Sequence, residues 1–409
     1  MKNSLHIFPH AFEVKDGCLC VGSVPVTRLA QRVGSTPFYA YDRSLITQKV
    51  ESLRAIMPSD LRLHYSIKAN PMSAVVQHMA RLVDGLDVAS SGELKIALET
   101  EMPTERISFA GPGKTDSDLA KAIASEVVIH IESRSELERA HTIALKCGVQ
   151  PIISLRVNPD FELRSSGMKM GGGAKPFGID AELIPGIFRE LRAMDLQFHG
   201  FQIFCGSQNL NDTSIVDAQQ KIFELAIRLS EHAPNAPHLL NIGGGFGIPY
   251  FPGEQPLEIQ PIADYLHGAL LKLKAILPST NVAIESGRYL VGESGVYIAK
   301  IVDKKTSRGQ TFLITDGGMH HHLAVTGNLG QVIRKNYPVA IANKMLDQDK
   351  EVVNIVGPLC TPLDVLAEKM ALPITEIGDL IAIFQSGAYG LSASPVNFLS
   401  HERASEILV

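Results

Sequence analysis

The chain has 409 residues, of which 45% are hydrophobic and 20% charged, an ordinary globular composition with enough apolar residues for a large core. Its net charge is −5, and Lys and Arg are dispersed, which leaves no electrostatic footprint for nucleic acid and no polybasic patch for a membrane surface. The length predicts two domains, and five widely spaced cysteines exclude a disulfide framework.

The first residues, MKNSLHIFPHAFEV, lack the apolar run of a signal peptide, and no stretch is long and apolar enough to span a bilayer. The expectation is a soluble, cytoplasmic protein. The segment EVKDGCLCVGSVPV (13–26) reads as a hairpin, and Cys18-Leu19-Cys20 is too isolated a pair for a zinc site.

From about residue 60, short apolar segments alternate with amphipathic ones. The predicted strands are LRLHYSIK (61–68), GLDVAS (85–90), RISFAG (106–111), VVIHIES (127–133), IISLRVNP (152–159), FHGFQIFCGS (198–207), HLLNIGG (238–244) and NVAIES (281–286). Between them lie helical patterns such as SAVVQHMARLV (73–83), SGELKIALET (91–100) and SELERAHTIALKC (135–147). Ser91 and Ser135 stand where N-caps belong, with Leu94 and Glu138 three residues on, so only the second fits a capping box.

Eightfold strand–helix alternation predicts an α/β chain with a closed (β/α)8 barrel of the TIM type in preference to an open doubly wound sheet. After residue 290 the texture changes. VYIAKIVDKK (296–305), QTFLITDGG (310–318), EVVNIVGPL (351–359) and DLIAIFQSGAYG (379–390) read as strands separated by turns. The expected organisation is a β-rich domain formed by both chain ends, 1–36 and 287–409, around a barrel at 37–280 whose last strand is at about 281–286.

In such a barrel the active site lies at the C-terminal ends of the strands. Those ends carry Lys68, Asp87 with Ser90, Gly111, Glu132, Asn158, Ser207, Gly243 to Gly245, and Glu285 with Arg288. In NIGGGFG (241–247), three glycines after an apolar strand let backbone N–H groups approach an anion, although a tight turn needs the same residues. The other glycine run, GMKMGGGAKPFG (167–178), follows no strand and reads as a mobile loop. Glu285 ends an apolar strand, where a carboxylate needs a cationic or protonated partner. Arg288 either pairs with it or offers a charge-assisted donor to a phosphate.

A lysine, a glycine loop and a buried acid together match pyridoxal 5′-phosphate (PLP), whose aldehyde needs an amine, whose ring nitrogen needs a carboxylate and whose phosphate needs N–H donors.

The motifs YSIKANP, DVASSGEL, ISFAGPGK, LRVNP, GSQ, NIGGGFG, ESGR, GPLCTPLD and SGAYG occur here in the order of the fold-type III PLP-dependent decarboxylases, a family that includes diaminopimelate and ornithine decarboxylases. The resemblance spans about residues 36–400 and rests on nine motifs in order. It implies the alanine racemase-like fold. It also implies that Lys68 bonds the cofactor, that Glu285 holds the ring-nitrogen proton, and that Ser207, Gly244, Gly245, Arg288 and Tyr389 surround the phosphate. Asp87 would lie beside the cofactor and Arg156 behind it. By the same resemblance, Cys360 and Asp364 of LCTPLD reach into a partner's site in a homodimer. Cys360 returns a proton to the substrate carbon after CO2 leaves, and Asp364 meets the substrate's distal end. Read without the family, Cys360 would be a small buried hydrophobe.

Two departures from the family pattern stand out. Phe204 occupies the place of a ring-stacking histidine, and TDGGMHHHLAVTGN (315–328) has Ala324 near the place of an arginine that binds a carboxylate of free diaminopimelate. The motifs DGGMHHH, NYP, GPLCTP and SGAYGLS resemble a subgroup with the glutamyl-carrier-protein decarboxylase of butirosin biosynthesis and exosortase-associated relatives. Such a substrate is conjugated or carrier-linked, and Arg334 in VIRKNYP and His321 are candidate contacts to it. His320 to His322 are not expected to bind a metal, because adjacent side chains of an extended chain point to opposite faces. The leading reading is an amino acid decarboxylase for a conjugated, carrier-linked or diamino acid substrate. A diaminopimelate- or ornithine-type enzyme acting on free amino acids, a racemase, and a catalytically inactive PLP-binding regulator stand as alternatives.

Overall fold

The structure, a computed structural model, describes residues 11–162, 168–329, 331 and 334–409. The expectations placed on residues 1–10, on Gly167 of the glycine-rich loop, and on Val332 and Ile333 of VIRKNYP lie outside them. The chain divides into two compact units, one of residues 50–248 and 256–289, the other of residues 1–49, 249–255 and 290–409.

The first unit is a closed barrel of eight parallel strands: Leu61–Ser66, Gly85–Val88, Ile107–Phe109, Val128–Ile131, Ile152–Asn158, Gln197–Gln202, Leu239–Gly244 and Asn281–Ser286. Each pairs with the next, and Asn281–Ser286 returns to Leu61–Ser66 with Glu285 opposite His64. The closed barrel of the sequence reading is what forms. Its strands face helices outside and packed side chains inside, so they read as nearly continuous apolar runs. Leu86, Ile107, Ile129, Leu155, Phe201 and Ala283 are fully buried.

Two local expectations are corrected. The N-caps are Ser90 and Ser133, whose Oγ atoms accept from the N–H groups of Glu93 and Glu136, both at 3.1 Å. Each is extended, with φ near −156° and −155°, and lies two residues past its strand, so strand end and helix cap almost adjoin. A capping box does form, at Thr115 and Asp118. The first barrel strand ends at Ser66, and Lys68 belongs to a single 3-10 turn, Ile67–Ala69, beyond it.

The second unit is β-rich. The predicted hairpin is a three-stranded meander, Val14–Lys15, Cys18–Val21 and Val24–Pro25. Its two-residue turns, Asp16-Gly17 and Gly22-Ser23, all have positive φ, the backbone that matches the twist of a tight hairpin. The larger sheet is organised by the long strand Gly295–Ser307, which pairs antiparallel with Phe38–Tyr41, Gln310–Thr315 and Leu380–Ile383. Phe38, Val296, Ile298, Leu19, Val26 and Phe384 form its core. Sequence reasoning did not find Phe38–Tyr41, Val339–Ile341, Val365–Pro373 or Ser405–Leu408. Three of these have four residues or fewer, and Val365–Pro373 interrupts its apolar residues with Glu368 and Lys369 at a positive-φ kink. Among the described residues no helix is long and apolar enough to cross a membrane.

Candidate active site

The C-terminal mouth of the barrel holds a small cavity lined by Lys68, Asp87, Arg156, Gln202, Phe204 and Glu285. All but Phe204 arrive by the same local device, a polar residue near or just past the end of an apolar strand. Lys68 is exposed on its 3-10 turn, and its Nζ lies 5.8 Å from the centroid of the Phe204 ring. The aromatic ring stands where the family pattern has a histidine, offering a face and no proton.

Glu285 is 5% exposed, and its Oε1 accepts from Gln202 Nε2 and, at 2.7 Å, from Asn241 Nδ2. Its hydrogen-bond partners are therefore two amides; the pairing with Arg288 considered from sequence is not the one formed. Burial pushes the Glu285 carboxyl upward, and the nearby Asp87 charge adds to the shift, against the pull of Lys68. Asp87 behaves oppositely. Burial raises it, but His64 at 3.2 Å and the Ser108 hydroxyl more than offset that, and its net direction is down. His64 shows the reciprocal effect, as burial lowers its pKa, yet Asp87 carries the net direction up. The pair is a buried ion pair of the barrel interior. His130 completes the cluster, with ligand-capable atoms of Asp87, His130 and Glu285 all within 4.8 Å of one another. Burial pushes His130 down to about 3, so it is neutral, and neither ring nitrogen has a hydrogen-bond partner among the described residues.

Arg156 is held in place by Glu132 at 2.8 Å and lies 5.0 Å from the Phe177 ring centroid. Glu132 in turn accepts from the backbone N–H groups of Gly111 and Gly178. This arrangement fixes three strand ends through one carboxylate.

The glycine run is needed for packing. A Cβ at Gly244 would run into the carbonyl oxygen of Glu285, and one at Gly245 into that of Gly206, next to Ser207. Gly243 and Gly245 also have φ near +69° and +82°. The run thus brings its backbone against both Ser207 and the strand that carries Glu285.

Cys360, Asp364, His321, Arg334 and Tyr389 belong to the β-rich unit. Cys360 is exposed and has no disulfide partner. Asp364 is 2% exposed, with Oδ1 accepting from Met319 N–H at 2.6 Å and Oδ2 from Leu359 N–H at 2.8 Å. Its carboxylate therefore braces the loop that carries Cys360. Arg334 donates to the Val365 carbonyl and lies 3.9 Å from Glu368. Tyr389 is half-buried, with φ near +54°.

The histidine run is turned back on Gly318, whose carbonyl accepts from the N–H groups of His321 and His322. The extended geometry assumed for it is replaced by a buried turn. His321 Nε2 lies 2.7 Å from the Glu402 carbonyl and Nδ1 3.5 Å from Tyr297 Oη, while His322 Nε2 meets Ser386 Oγ at 3.0 Å.

Sequence reasoning missed His64, His130, Gln202 and Asn241. Gln202 carried a usable signal, a polar residue closing an apolar strand. His64 and His130 lie inside strands, and nothing local distinguishes them from packed core residues.

Comparison with known proteins agrees with this geometry. Residues 43–292 match the family model described as pyridoxal-dependent decarboxylase, pyridoxal binding domain. The chain belongs to the pyridoxal-dependent decarboxylase family. It is 36% identical over 392 residues to the L-glutamyl-[BtrI acyl-carrier protein] decarboxylase of Niallia circulans, covering 94% of this chain and 90% of that protein. It is 32% identical over 400 residues to the diaminopimelate decarboxylase of Aquifex aeolicus, covering 97% and 92%. The crystal structure of diaminopimelate decarboxylase from M. jannaschii with L-lysine superposes with a TM-score of 0.88 at 26% identity, covering 97% of this chain and 92% of that one. The chain is thus an enzyme of the amino acid-decarboxylating type.

Proposed function

We propose that this chain binds PLP in the barrel and decarboxylates an amino acid whose distal end is conjugated or carrier-linked. The observation that carries the substrate class is the engagement of Asp364. A free diamino acid presents a distal ammonium, which calls for an available carboxylate. Here the carboxylate assigned to that end from sequence has both oxygens taken by backbone N–H groups. His321 is equally occupied, and Ala324 offers no charge to a distal carboxylate. The likeness to a decarboxylase named for a carrier-bound glutamyl group supports the same reading.

The cofactor fits the groups at the barrel mouth. When bound, PLP supplies an aldehyde for an amine and a ring that accepts the electrons left as the carboxylate departs. Lys68 is the amine. Glu285, held by two amides, holds a proton at the ring nitrogen, and the upward direction of its pKa suits a carboxyl that shares a proton. Phe204 stacks on the ring, while Gly244, Gly245, Ser207, Arg288 and Tyr389 take the phosphate. Cys360, delivered by the partner of a cytoplasmic homodimer, returns the proton to the substrate carbon, and Asp364 fixes its loop. Arg334 is the candidate cation for an acidic or carrier-derived group.

The test is CO2 release from purified protein given free, conjugated and carrier-linked amino acids. Turnover confined to the linked or conjugated forms is expected. Efficient turnover of free diaminopimelate or ornithine overturns the substrate class, and racemisation without CO2 overturns the reaction. Lys68→Ala should abolish the cofactor's visible absorbance and turnover together, and full turnover with the absorbance retained would remove Lys68 from the mechanism.

A further inference from the structure

A second cavity of the barrel unit is at the opposite mouth, where the strands begin. It has a volume of about 680 Å³ and is lined by Arg62, Arg106, His64, His199 and His238, with Glu105 as the one acid in the lining. That size suits a small molecule. The five basic side chains come from four different strand starts. Arg62 and His64 lie on Leu61–Ser66, Arg106 directly precedes Ile107–Phe109, His199 lies on Gln197–Gln202, and His238 directly precedes Leu239–Gly244.

Arg62 and Arg106 have no side-chain hydrogen bond or ion pair among the described residues, in a chain whose acids outnumber its Lys and Arg. The nearest compensation for Arg62 is Asp84, whose carboxylate is already bonded to Arg54 and to the Leu63 N–H. The rings of His199 and His238 are 4.9 Å apart. The groups feel one another. Burial depresses Arg62, and Arg106 depresses it further. Burial pushes His199 to about 4, with His238, Arg62 and His64 all acting in the same direction. Two guanidinium groups without a side-chain partner among the described residues, beside the His199 and His238 imidazoles that burial keeps neutral and with Glu105 as the one acid in the lining, make a site whose missing partner is negative charge.

We propose that this cavity binds a small oxyanion carrying at least two negative charges, of the phosphate or dicarboxylate type, at the barrel face away from Lys68. The anion takes charge-assisted hydrogen bonds from Arg62 and Arg106 and favours protonated His199 and His238.

The experiment is an imidazole NMR titration and calorimetry on the PLP-loaded protein, with inorganic phosphate and malonate as probes. Bound PLP keeps the probe phosphate from the glycine loop, and the His199 signal reports only on the far face, so a failure of the PLP assignment leaves the result readable. A rise of the His199 pKa from about 4 on addition of either probe is expected. Phosphate alone identifies a tetrahedral oxyanion site and malonate alone a dicarboxylate site. The Arg62→Ala/Arg106→Ala variant should bind about tenfold more weakly or worse, with CO2 release unchanged. Arg106→Ala, at an exposed position, tests the same loss should the double variant not fold. No movement of His199 with either probe, or undiminished binding by the variants, overturns the site.

Discussion

At the scale of single residues, the barrel interior holds two carboxylates whose pKa values move apart. Asp87 is kept ionised by His64, while Glu285 is driven toward its protonated form. The His64–Asp87 pair makes a pH prediction with a definite sign. His64 is raised above its ordinary 6.5, so its stabilisation is complete below that value and lost as pH rises through the folded-state pKa. Asp87 is lowered below its ordinary 3.8, so its stabilisation is complete above that value and lost as pH falls through the folded-state pKa. The pair therefore contributes most between the two ordinary values. His64→Gln should lower Tm most in that window, by a loss of about 3–5 kcal/mol. The gap to wild type should narrow as pH climbs beyond it. A gap that stays constant with pH would show that the pair is neutral. Cys360→Ala should fold normally, because the thiol is exposed, and should slow turnover about 100-fold as a proton donor is lost. Unchanged kcat would take the thiol out of the reaction.

At the scale of elements, the site depends on strand ends brought too close for side chains. Gly244→Ala would drive a methyl group into the Glu285 carbonyl, and neither backbone can yield without opening the barrel. The expected cost is several kcal/mol, about 3 or more, with cofactor affinity lost alongside Tm. A variant with wild-type Tm would mean that the two strands are not in register as described. Ser133→Ala should be milder, about 1 kcal/mol, because it removes one cap from a helix that keeps its packed face. At this scale the strands were legible from apolar runs and their polar ends, and so were Lys68, Asp87, Phe204 and Glu285. Caps were misplaced by one or two residues, since neighbouring serines (Ser90 and Ser91, Ser133 and Ser135) look alike when the cap lies only two residues past the strand end. Asp364 was expected, by resemblance, at the substrate's distal end; its bracing role was not legible, because its partners are backbone N–H groups that no side-chain pattern announces.

At the scale of the whole molecule, the barrel is assembled mainly from neighbours in sequence, whereas the β-rich unit is not. Its strand Phe38–Tyr41 pairs with Gly295–Ser307 on one side and with Ser405–Leu408 on the other. Tyr41 Oη donates to Glu406 at 2.8 Å, and Arg43 N–H donates to the Val409 carbonyl at 3.0 Å. Alternation told where the barrel begins, but pairings this distant leave no trace in local periodicity, which is why both short strands escaped the sequence reading. Deleting residues 405–409 should expose the edge of Phe38–Tyr41, lower solubility and leave the barrel's protease resistance largely intact. Equal loss of resistance in both units would show that they melt together.

The return of Ser405–Leu408 to Phe38–Tyr41 also sets an order of events on the ribosome. Every barrel residue has been synthesised before the partner of Phe38–Tyr41 emerges. The barrel can therefore close while translation continues, and Phe38–Tyr41 must wait, unpaired along that edge, until residues 405–408 have been synthesised. Slow codons placed after the barrel would lengthen that wait, and chaperone dependence should rise with it.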